Sequence, residues 1–296
     1  MTTDTRQNVY TRVTDSIIAA IEAGAGDFKM PWHAQGDLAR PFNVTSGKAY
    51  RGINTVALWV AAQATGYASP IWGTYKQWQE KGAQVRKGEK ASTVVFWKVS
   101  DPASREAESQ NEDSDQPHAR VFARAYCVFN AQQVEGWEAP AMPALPQAAR
   151  IAHAEGFFAA LGATIKEGGA RACYIPSRDE IHLPPFAAFH DAVAYYATLA
   201  HEATHWTAHA SRCARDLKGR FGSESYAAEE LVAELGAAFL CSDLALTPEP
   251  RPDHAAYIAS WLKVLRNDPR AIFTAAAKAQ AAADWMHARQ PQAVAA

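Results

Sequence analysis

The chain of 296 residues has few cysteines and no long apolar run. Its four cysteines form no CxxC pair, which argues against a disulfide framework or a cysteine-based zinc site and favours reduced thiols. No stretch approaches the roughly 20 apolar residues that a membrane span requires. The first 12 residues contain no apolar run behind a basic start, so no signal peptide is expected. These absences predict a globular cytoplasmic protein that does not engage a membrane.

The net charge of −2 conceals an uneven distribution along the chain. Residues 1–98 carry 12 basic and 7 acidic side chains, whereas residues 99–119 carry 1 basic and 6 acidic ones. A basic first third indicates an anionic partner, although an ordinary solvated surface can carry the same excess. The segment at about residues 100–119 is acidic and lacks large apolar residues, which predicts a flexible loop.

Hydrophobic periodicity predicts an α+β fold of two domains. In the first half, helical spacing occurs at residues 8–23, 54–65 and 73–82, and strand-like runs occur at 92–99 and 121–129. Asn54 is expected to cap the second helix. This half is therefore expected to be a mixed domain of helices and antiparallel sheet over residues 1–139.

Three prolines within residues 138–146 predict the domain boundary. The second domain, residues 147–296, is expected to be mainly helical with a small sheet. Its predicted helices cover residues 147–161, 189–209, 224–242, 253–266 and 269–288, and a strand pair is expected at 172–175 and 179–184.

Residues 201–205 have the sequence His-Glu-Ala-Thr-His. The surrounding stretch has no glycine or proline, so we expect a helix with His201 and His205 on one face. Two imidazoles and a further ligand are typical of a catalytic zinc site, which keeps one position for water. Glu202 lies beside the pair, where a carboxylate can accept the proton of that water. The pattern predicts a metal site with Glu202 as the catalytic base; a charged helix face is the alternative.

The helix predicted at residues 224–242 offers candidates for a third ligand. Glu230 and Glu234 are four residues apart and share a face. The arrangement resembles metalloproteases in which a glutamate of a second helix binds the metal and an acidic residue one turn later orients a ligand histidine. This resemblance assigns Glu230 as the ligand and Glu234 as the orienting group, with Glu229 as the alternate ligand. The small residues at 236–238 would let another helix pack closely.

Other features near the motif are less specific. His209 lies one turn beyond His205 and is expected to be exposed or to support the site, while His182 and His190 are typical structural histidines. The segment at residues 174–184, where strands are expected, precedes the motif helix. In zincin proteases an edge strand in this place pairs with the substrate backbone, although an ordinary hairpin explains the pattern equally well.

The first half interleaves aromatic and basic residues. Such surfaces bind single-stranded nucleic acid, because cations neutralise phosphates and rings stack on bases. About half of the rings are expected in the core, among them Trp59 and Trp97, which fall on apolar faces. The residues predicted to contact DNA are Lys48, Tyr50, Arg51, Asn54, Trp72, Tyr75, Lys76, Arg86, Lys87 and Lys90.

Long segments of the chain resemble the plasmid-encoded ArdC antirestriction family. The segments PWHAQGDLARPFNVTSGKAYRGINTVALW and GYASPIWGTYKQWQEKGAQVRKGEKASTVVFWK are similar to the N-terminal domain of that family, which also occurs in conjugation-associated primases. The segments HEATH and AAEELVAELGAAFLCSDL look like its zincin-type metallopeptidase domain. The resemblance implies single-stranded DNA binding and protection of incoming plasmid DNA from host restriction during conjugation. We do not extend primase activity to this chain, which is too short for the additional catalytic domains.

Three functions remain compatible with the sequence. The first is a DNA-binding antirestriction protein with a zinc-dependent peptidase, for which Mn²⁺ or another divalent metal is an alternative cofactor. Its protein target would be a host restriction enzyme or another DNA-bound protein. The second is a DNA-binding shield whose peptidase domain is structural or vestigial. The third is a metalloprotease whose basic half binds an acidic protein.

Overall fold

The computed structural model describes residues 8–24, 30, 32, 39–99, 121–139, 146–217, 222–247 and 255–291. The acidic loop predicted at residues 100–119 lies outside the described residues, as does most of the proline-rich boundary. The predicted limits of the two domains therefore stay a prediction.

The first half contains helices, a mixed four-stranded sheet and a two-stranded antiparallel pair. Its elements are α1 (Val9–Gly24), β1 (Phe42–Asn43), α2 (Ile53–Thr65), β2 (Ile71–Gly73), α3 (Tyr75–Glu80), β3 (Gln84–Val85), β4 (Ser92–Val99), β5 (Val121–Asn130) and β6 (Val134–Glu135). A four-stranded sheet has the order β1-β2-β5-β4, in which β1 and β2 are parallel and the other pairs antiparallel. Strands β3 and β6 form a separate antiparallel pair.

The predicted pairing of the two long strands is confirmed. Strands β4 and β5 run antiparallel with Ser92 opposite Val128 and Val99 opposite Val121. Strands β1, β2, β3 and β6 were not predicted, because segments of two or three residues are too short to show an alternating pattern.

Helix α2 begins differently from the sequence prediction. It starts at Ile53 after Gly52, whose φ of 54° suits a residue without a Cβ atom. The prediction that Asn54 caps this helix is wrong. Its side-chain amide donates to the carbonyl oxygen of Val95 at 2.8 Å, and its side-chain oxygen accepts from the backbone nitrogen of Val95 at 2.6 Å. Asn54 therefore joins α2 to strand β4.

The second half is mainly helical with a small mixed sheet, as predicted. Its elements are α4 (Gln147–Ala159), β7 (Thr164–Glu167), β8 (Cys173–Ile175), β9 (Glu180–Leu183), α5 (Ala192–Trp206), α6 (Glu224–Asp243), α7 (Ala255–Asn267) and α8 (Ala271–His287). The sheet order is β7-β9-β8, with β7 parallel and β8 antiparallel to β9. Strand β8 therefore lies at an edge of the sheet and packs, like β9, against α5.

The largest apolar core joins the two halves of the chain. Ile17 of α1 and Trp59 of α2 belong to the same buried cluster as Phe239 of α6 and Ile272 of α8. The rings of Trp59 and Phe239 lie 5.8 Å apart, and the expected burial of Trp59 is confirmed. Since each large apolar side chain contributes about 1.5–3 kcal/mol on burial, these contacts hold the N-terminal helices firmly on the second half.

Candidate functional site

The candidate metal centre lies between helices α5 and α6. Asp191 begins α5 by accepting a hydrogen bond from the backbone nitrogen of Ala194 at 2.7 Å. A Cβ atom on Gly236 would lie 2.5 Å from Cγ2 of Thr204, so only glycine permits the observed approach of α6 to α5. The close contact predicted from the small residues at 236–238 is thereby confirmed.

The two histidines of the motif and one glutamate of α6 come together. Ligand atoms of His201, His205 and Glu230 all lie within 4.8 Å of one another. Nε2 of His201 is 3.4 Å from Oε2 of Glu230, and Nε2 of His205 is 3.5 Å from Oε1 of Glu230. The helical spacing of the motif places both imidazoles toward the same carboxylate.

This donor set fits a tetrahedral divalent ion. Bonds of about 2.1 Å at tetrahedral angles separate two donor atoms by about 3.4 Å. Each histidine nitrogen lies at about that distance from one oxygen of Glu230, Oε2 for His201 and Oε1 for His205. Two imidazole nitrogens and a carboxylate are also a ligand set that zincin enzymes use, with one position open for water.

The second nitrogen of each histidine faces its own carboxylate. Nδ1 of His201 lies 3.7 Å from Oε2 of Glu234, and Nδ1 of His205 lies 3.5 Å from Oε1 of Glu229. Carboxylates in this position fix the tautomer and the ring orientation of a metal-binding histidine. Glu234 has the place that the sequence predicted. Glu229, which was the alternate ligand, lies behind His205 instead.

An arginine after the motif helix holds Glu229 in this place. Nη2 of Arg215 donates to Oε1 of Glu229 at 2.9 Å and to the carbonyl oxygen of Thr204 at 2.6 Å. No sequence pattern marks Arg215, because its partner Glu229 lies 14 positions away on α6 and approaches only through the packing of α6 on α5.

Glu234 is held by a side chain from the other half of the chain. Nε1 of Trp32 donates to Oε1 of Glu234 at 3.2 Å, and both side chains are buried. The ring of Trp32 lies 6.3 Å from that of Trp261 in α7. The N-terminal half therefore contributes a hydrogen bond to the group behind His201.

One tyrosine lies beside Glu230, and a second contacts the first. The phenol of Tyr226, one turn earlier in α6, hydrogen-bonds to Glu230, and its oxygen is 3.3 Å from the phenol oxygen of Tyr257. Burial and the charge of Glu230 raise the pKa of Tyr226, so this phenol stays protonated and can donate. The sequence offered no signal for either tyrosine beyond its position on a helix.

The histidines and glutamates of the centre shift one another's pKa values. Burial lowers the pKa of His205, but its contacts with Glu229 and Glu230 outweigh burial and raise the value to about 10. Burial raises the pKa of Glu230, and the two histidines outweigh it and hold the value well below its usual range. These contacts therefore favour a protonated His205 beside an ionised Glu230.

Glu202 is buried on the same turn of α5 as the candidate ligands. Its charge raises the pKa of His205 and, together with burial, that of the Cys173 thiol. Strand β8, which contains Cys173, packs against α5, the helix that carries Glu202. The strand directly before the motif helix, β9, is the central strand of the sheet, and the edge strand beside it is β8.

The remaining candidate histidines lie outside the ligand set. Nδ1 of His209 is 2.8 Å from Oγ of Ser211, and Nε2 of His182 is 3.0 Å from Oε2 of Glu180. His190 is exposed beside Asp191. Each of the three fits the structural or exposed role that was expected of it.

Three of the ten predicted DNA contacts are buried. Tyr50 and Trp72 belong to a small apolar cluster behind the four-stranded sheet, and Asn54 holds Val95. As placed in this structure, these three side chains are not available to stack on bases or to pair with phosphates. Aromatic and polar composition alone does not distinguish a ring in the core from one at the surface.

The other seven predicted contacts are at the surface. They are Lys48, Arg51, Tyr75, Lys76, Arg86, Lys87 and Lys90. Hydrogen bonds connect the segments that carry six of them: Asn43 donates to Gln77 in α3 at 3.0 Å, and Gln84 donates to the phenol oxygen of Tyr75 at 2.8 Å. The turn before Lys48, helix α3 and the loop after β3 are therefore neighbours.

Two of the surface arginines also have partners within the chain. Arg51 forms an ion pair with Asp284 in α8. Arg86 pairs with Glu89 at 2.7 Å and donates to the backbone of Val134. Both side chains remain about half exposed, so an anion can compete for them.

One expected core residue is exposed. Trp97 was expected in the core because it falls on an apolar stretch, but it lies at the surface of β4. Other elements pack over β4 at Val94 and Val95 but leave Trp97 exposed, and the sequence pattern does not show where this packing ends.

In the part of the chain that the structure describes, no helix has both the length and the apolar character needed to cross a bilayer.

Family comparisons match the two halves separately. A family model for the N-terminal domain of the anti-restriction factor ArdC matches residues 7–129. A model for a zincin-like metallopeptidase matches residues 152–278.

Whole-chain comparisons find relatives of similar length. The protein y4eC of Sinorhizobium fredii is 56% identical over 99% of this chain and 97% of its own. Crystal structures of the antirestriction protein ArdC from plasmid R388 match in the metal-free form, with 43% identity and a TM-score of 0.78, covering 96% of this chain and 98% of ArdC. The Mn(II)-bound form matches with 41% identity and a TM-score of 0.79, covering 97% and 99%.

A longer relative shares only part of its length. The DNA primase TraC of Escherichia coli is 38% identical over 96% of this chain, which spans 27% of TraC. The remaining part of TraC has no counterpart among the residues compared.

Proposed function

The chain belongs to the ArdC antirestriction family, and on that premise we propose that it binds single-stranded DNA and protects incoming plasmid DNA from host restriction during conjugation. The basic and aromatic surface of the first half supports DNA binding. Protection of entering DNA places the protein in the cytoplasm of the recipient cell.

The metal centre is proposed to hold one Zn²⁺ ion through His201, His205 and Glu230. The nitrogen-to-oxygen distances of 3.4 and 3.5 Å support a tetrahedral ion. Mn²⁺ is the alternative, because the solved relative from plasmid R388 has a Mn(II)-bound form. Metal availability as well as affinity decides which ion occupies such a site.

The proposed reaction is the hydrolysis of a peptide bond. The ion, when bound, supplies Lewis acidity to a water molecule and to the peptide carbonyl. Glu202 would accept the proton of that water and return it to the leaving amine nitrogen. The edge strand β8 would align the peptide backbone by adding it to the sheet.

The proposed substrate is a protein bound to the incoming DNA, such as a host restriction enzyme. DNA binding by the first half would bring the centre close to such proteins. The buried contact between the two halves supports this arrangement, because it fixes the distance between the DNA surface and the centre.

The convergence of two imidazoles and a carboxylate, each histidine with its own carboxylate behind it, carries this proposal. The test is a DNA-entry assay under restriction, which compares the unchanged protein with Glu202→Gln. We expect Glu202→Gln to retain the metal and single-stranded DNA binding while losing protection. The exposed helix residue Glu224→Gln is the matched control and should protect fully.

A second candidate function is a DNA-binding shield with a structural metallopeptidase half. The core shared by both halves favours it, because the second half supports the fold of the first whether or not it is catalytic. Full protection by Glu202→Gln would establish this candidate and contradict the peptidase proposal. If the protein binds single-stranded DNA no more tightly than other polyanions, that result would instead support an acidic protein as the partner of the basic half.

A further inference from the structure

Strand β4 passes from the core to the surface within four residues. The side chains of Val94 and Val95 are each only 1% exposed, on opposite faces of the strand. The next two, Phe96 and Trp97, are 49% and 46% exposed. Both faces of the strand therefore lose their cover at the same point, and large aromatic residues occupy that point.

The Phe96 face of the β4–β5 ribbon combines rings with a cation. Phe96 is opposite Arg124 in β5, and Val94 is opposite Tyr126. The ring of Phe96 meets that of Tyr126 edge-on, with centroids 5.5 Å apart. The guanidinium carbon of the exposed Arg124 lies 5.3 Å from the centre of the Tyr126 ring.

The Trp97 face has the same combination from different elements. The ring of Trp97 lies 6.3 Å from Phe273 in α8, and Phe273 lies 4.7 Å from Tyr10 in α1. The guanidinium carbon of the exposed Arg270 is 5.0 Å from the centre of the Tyr10 ring. Each face thus presents a half-exposed ring packed against a neighbouring ring. Arg124 is directly opposite Phe96, whereas Arg270 lies over Tyr10, at the far end of the row of rings that begins at Trp97.

We propose that Phe96 and Trp97 stack on the bases of single-stranded DNA, and that Arg124 and Arg270 contact its phosphates. This proposal rests on the proposed binding of single-stranded DNA and names the part of the surface that reads the bases. A polyanion with flat rings matches both features, since every base can stack on an aromatic side chain and each phosphate can pair with an arginine. An apolar protein partner would use the rings and leave the two arginines without a role.

The test compares two ligands of equal length by fluorescence anisotropy. One is an oligothymidine, and the other is its abasic counterpart, which keeps the phosphates and lacks the bases. For Phe96→Ala and for Trp97→Ala we expect binding to oligothymidine to weaken by about 5- to 150-fold, the range for the loss of one stacked base. Binding to the abasic strand should change little.

Conservative and matched variants separate stacking from general damage. Phe96→Tyr and Trp97→Phe keep a ring and should restore most of the affinity. Phe186→Ala is the control, because Phe186 is 45% exposed and lies in the second half against Tyr195. Arg124→Gln should reduce the salt dependence of binding by about 0.7 in the log–log slope, whereas the ring variants should leave that slope unchanged.

The outcomes distinguish this proposal from the one on which it rests. If the unchanged protein binds neither ligand, the proposed DNA binding fails and the stacking proposal fails with it. If the unchanged protein binds oligothymidine more tightly than the abasic strand, and both alanine variants bind it as tightly as Phe186→Ala does, the proposed DNA binding stands. Stacking by Phe96 and Trp97 is then overturned. Equal losses on both ligands would also overturn it, because stacking requires bases.

Discussion

Removal of the carboxylate behind His201 is expected to weaken metal binding without removing a ligand. Oε2 of Glu234 faces Nδ1 of His201 at 3.7 Å, while Oε1 accepts a hydrogen bond from Trp32. In Glu234→Ala, His201 loses the group that orients its ring, and the buried indole of Trp32 loses its acceptor. In Glu234→Gln, an oxygen remains for Trp32, and only the negative charge is lost.

The size of the effect follows from these contacts. Loss of an orienting partner typically costs 10- to 100-fold in metal affinity, which is about 1.4–2.8 kcal/mol. We expect Glu234→Ala near the upper end and Glu234→Gln near the lower end. The alanine variant should also lower the free energy of unfolding of the metal-free protein by about 1–3 kcal/mol, because a buried N–H group loses its partner.

Competition between the protein and a chromophoric chelator for Zn²⁺ measures this affinity. Glu224→Gln, on the exposed side of the same helix, is the control and should bind zinc like the unchanged protein. If Glu234→Ala binds zinc as tightly as that control, the carboxylate does not orient His201, and the assigned role is refuted.

Three further predictions follow from single contacts. Since the pKa of His205 is about 10 without metal, a proton competes with Zn²⁺ for this ligand below that pH. The apparent Zn²⁺ affinity should therefore rise on the order of tenfold per pH unit near neutrality. An affinity that does not change with pH would contradict the ligand role of His205. Gly236→Val should lower the free energy of unfolding by about 1–3 kcal/mol in denaturant titrations, because a Cβ atom there would lie 2.5 Å from Cγ2 of Thr204; unchanged stability would mean that α5 and α6 separate easily. Asn54→Ala should cost about 1–3 kcal/mol of stability through the lost bonds to Val95 and leave DNA affinity unchanged; a selective loss of DNA binding would restore Asn54 as a contact residue.

Helical periodicity predicted the part of the candidate metal centre that lies on a single helix. The spacing of His201 and His205 places them on one face of a helix, and the structure brings both to Glu230. Sequence spacing alone does not decide whether Glu229 or Glu230 is the third ligand. The structure separates their positions, because Arg215 hydrogen-bonds to Glu229 and holds it behind His205. The periodicity of α6 does not predict that Arg215, a residue outside this helix, contacts Glu229.

Contacts between residues far apart in the chain could not be predicted from the sequence. Trp32 is 202 positions from Glu234, and no local pattern connects them. The same limit explains why Trp72, a predicted DNA contact, is buried by packing, and why Trp97, an expected core residue, is exposed where packing ends. Residue type records what a side chain can do, while burial depends on the elements that cover it.

The central claim is that His201, His205 and Glu230 hold one divalent ion. The most direct measurement is the metal content per chain after equilibration with Zn²⁺ and removal of excess ion, for the unchanged protein and for His205→Ala and Glu202→Gln. We predict one ion per chain in the unchanged protein and in Glu202→Gln, with loss of the ion in His205→Ala. A folded, unchanged protein without stoichiometric metal, or a His205→Ala variant that retains it fully, would contradict the account.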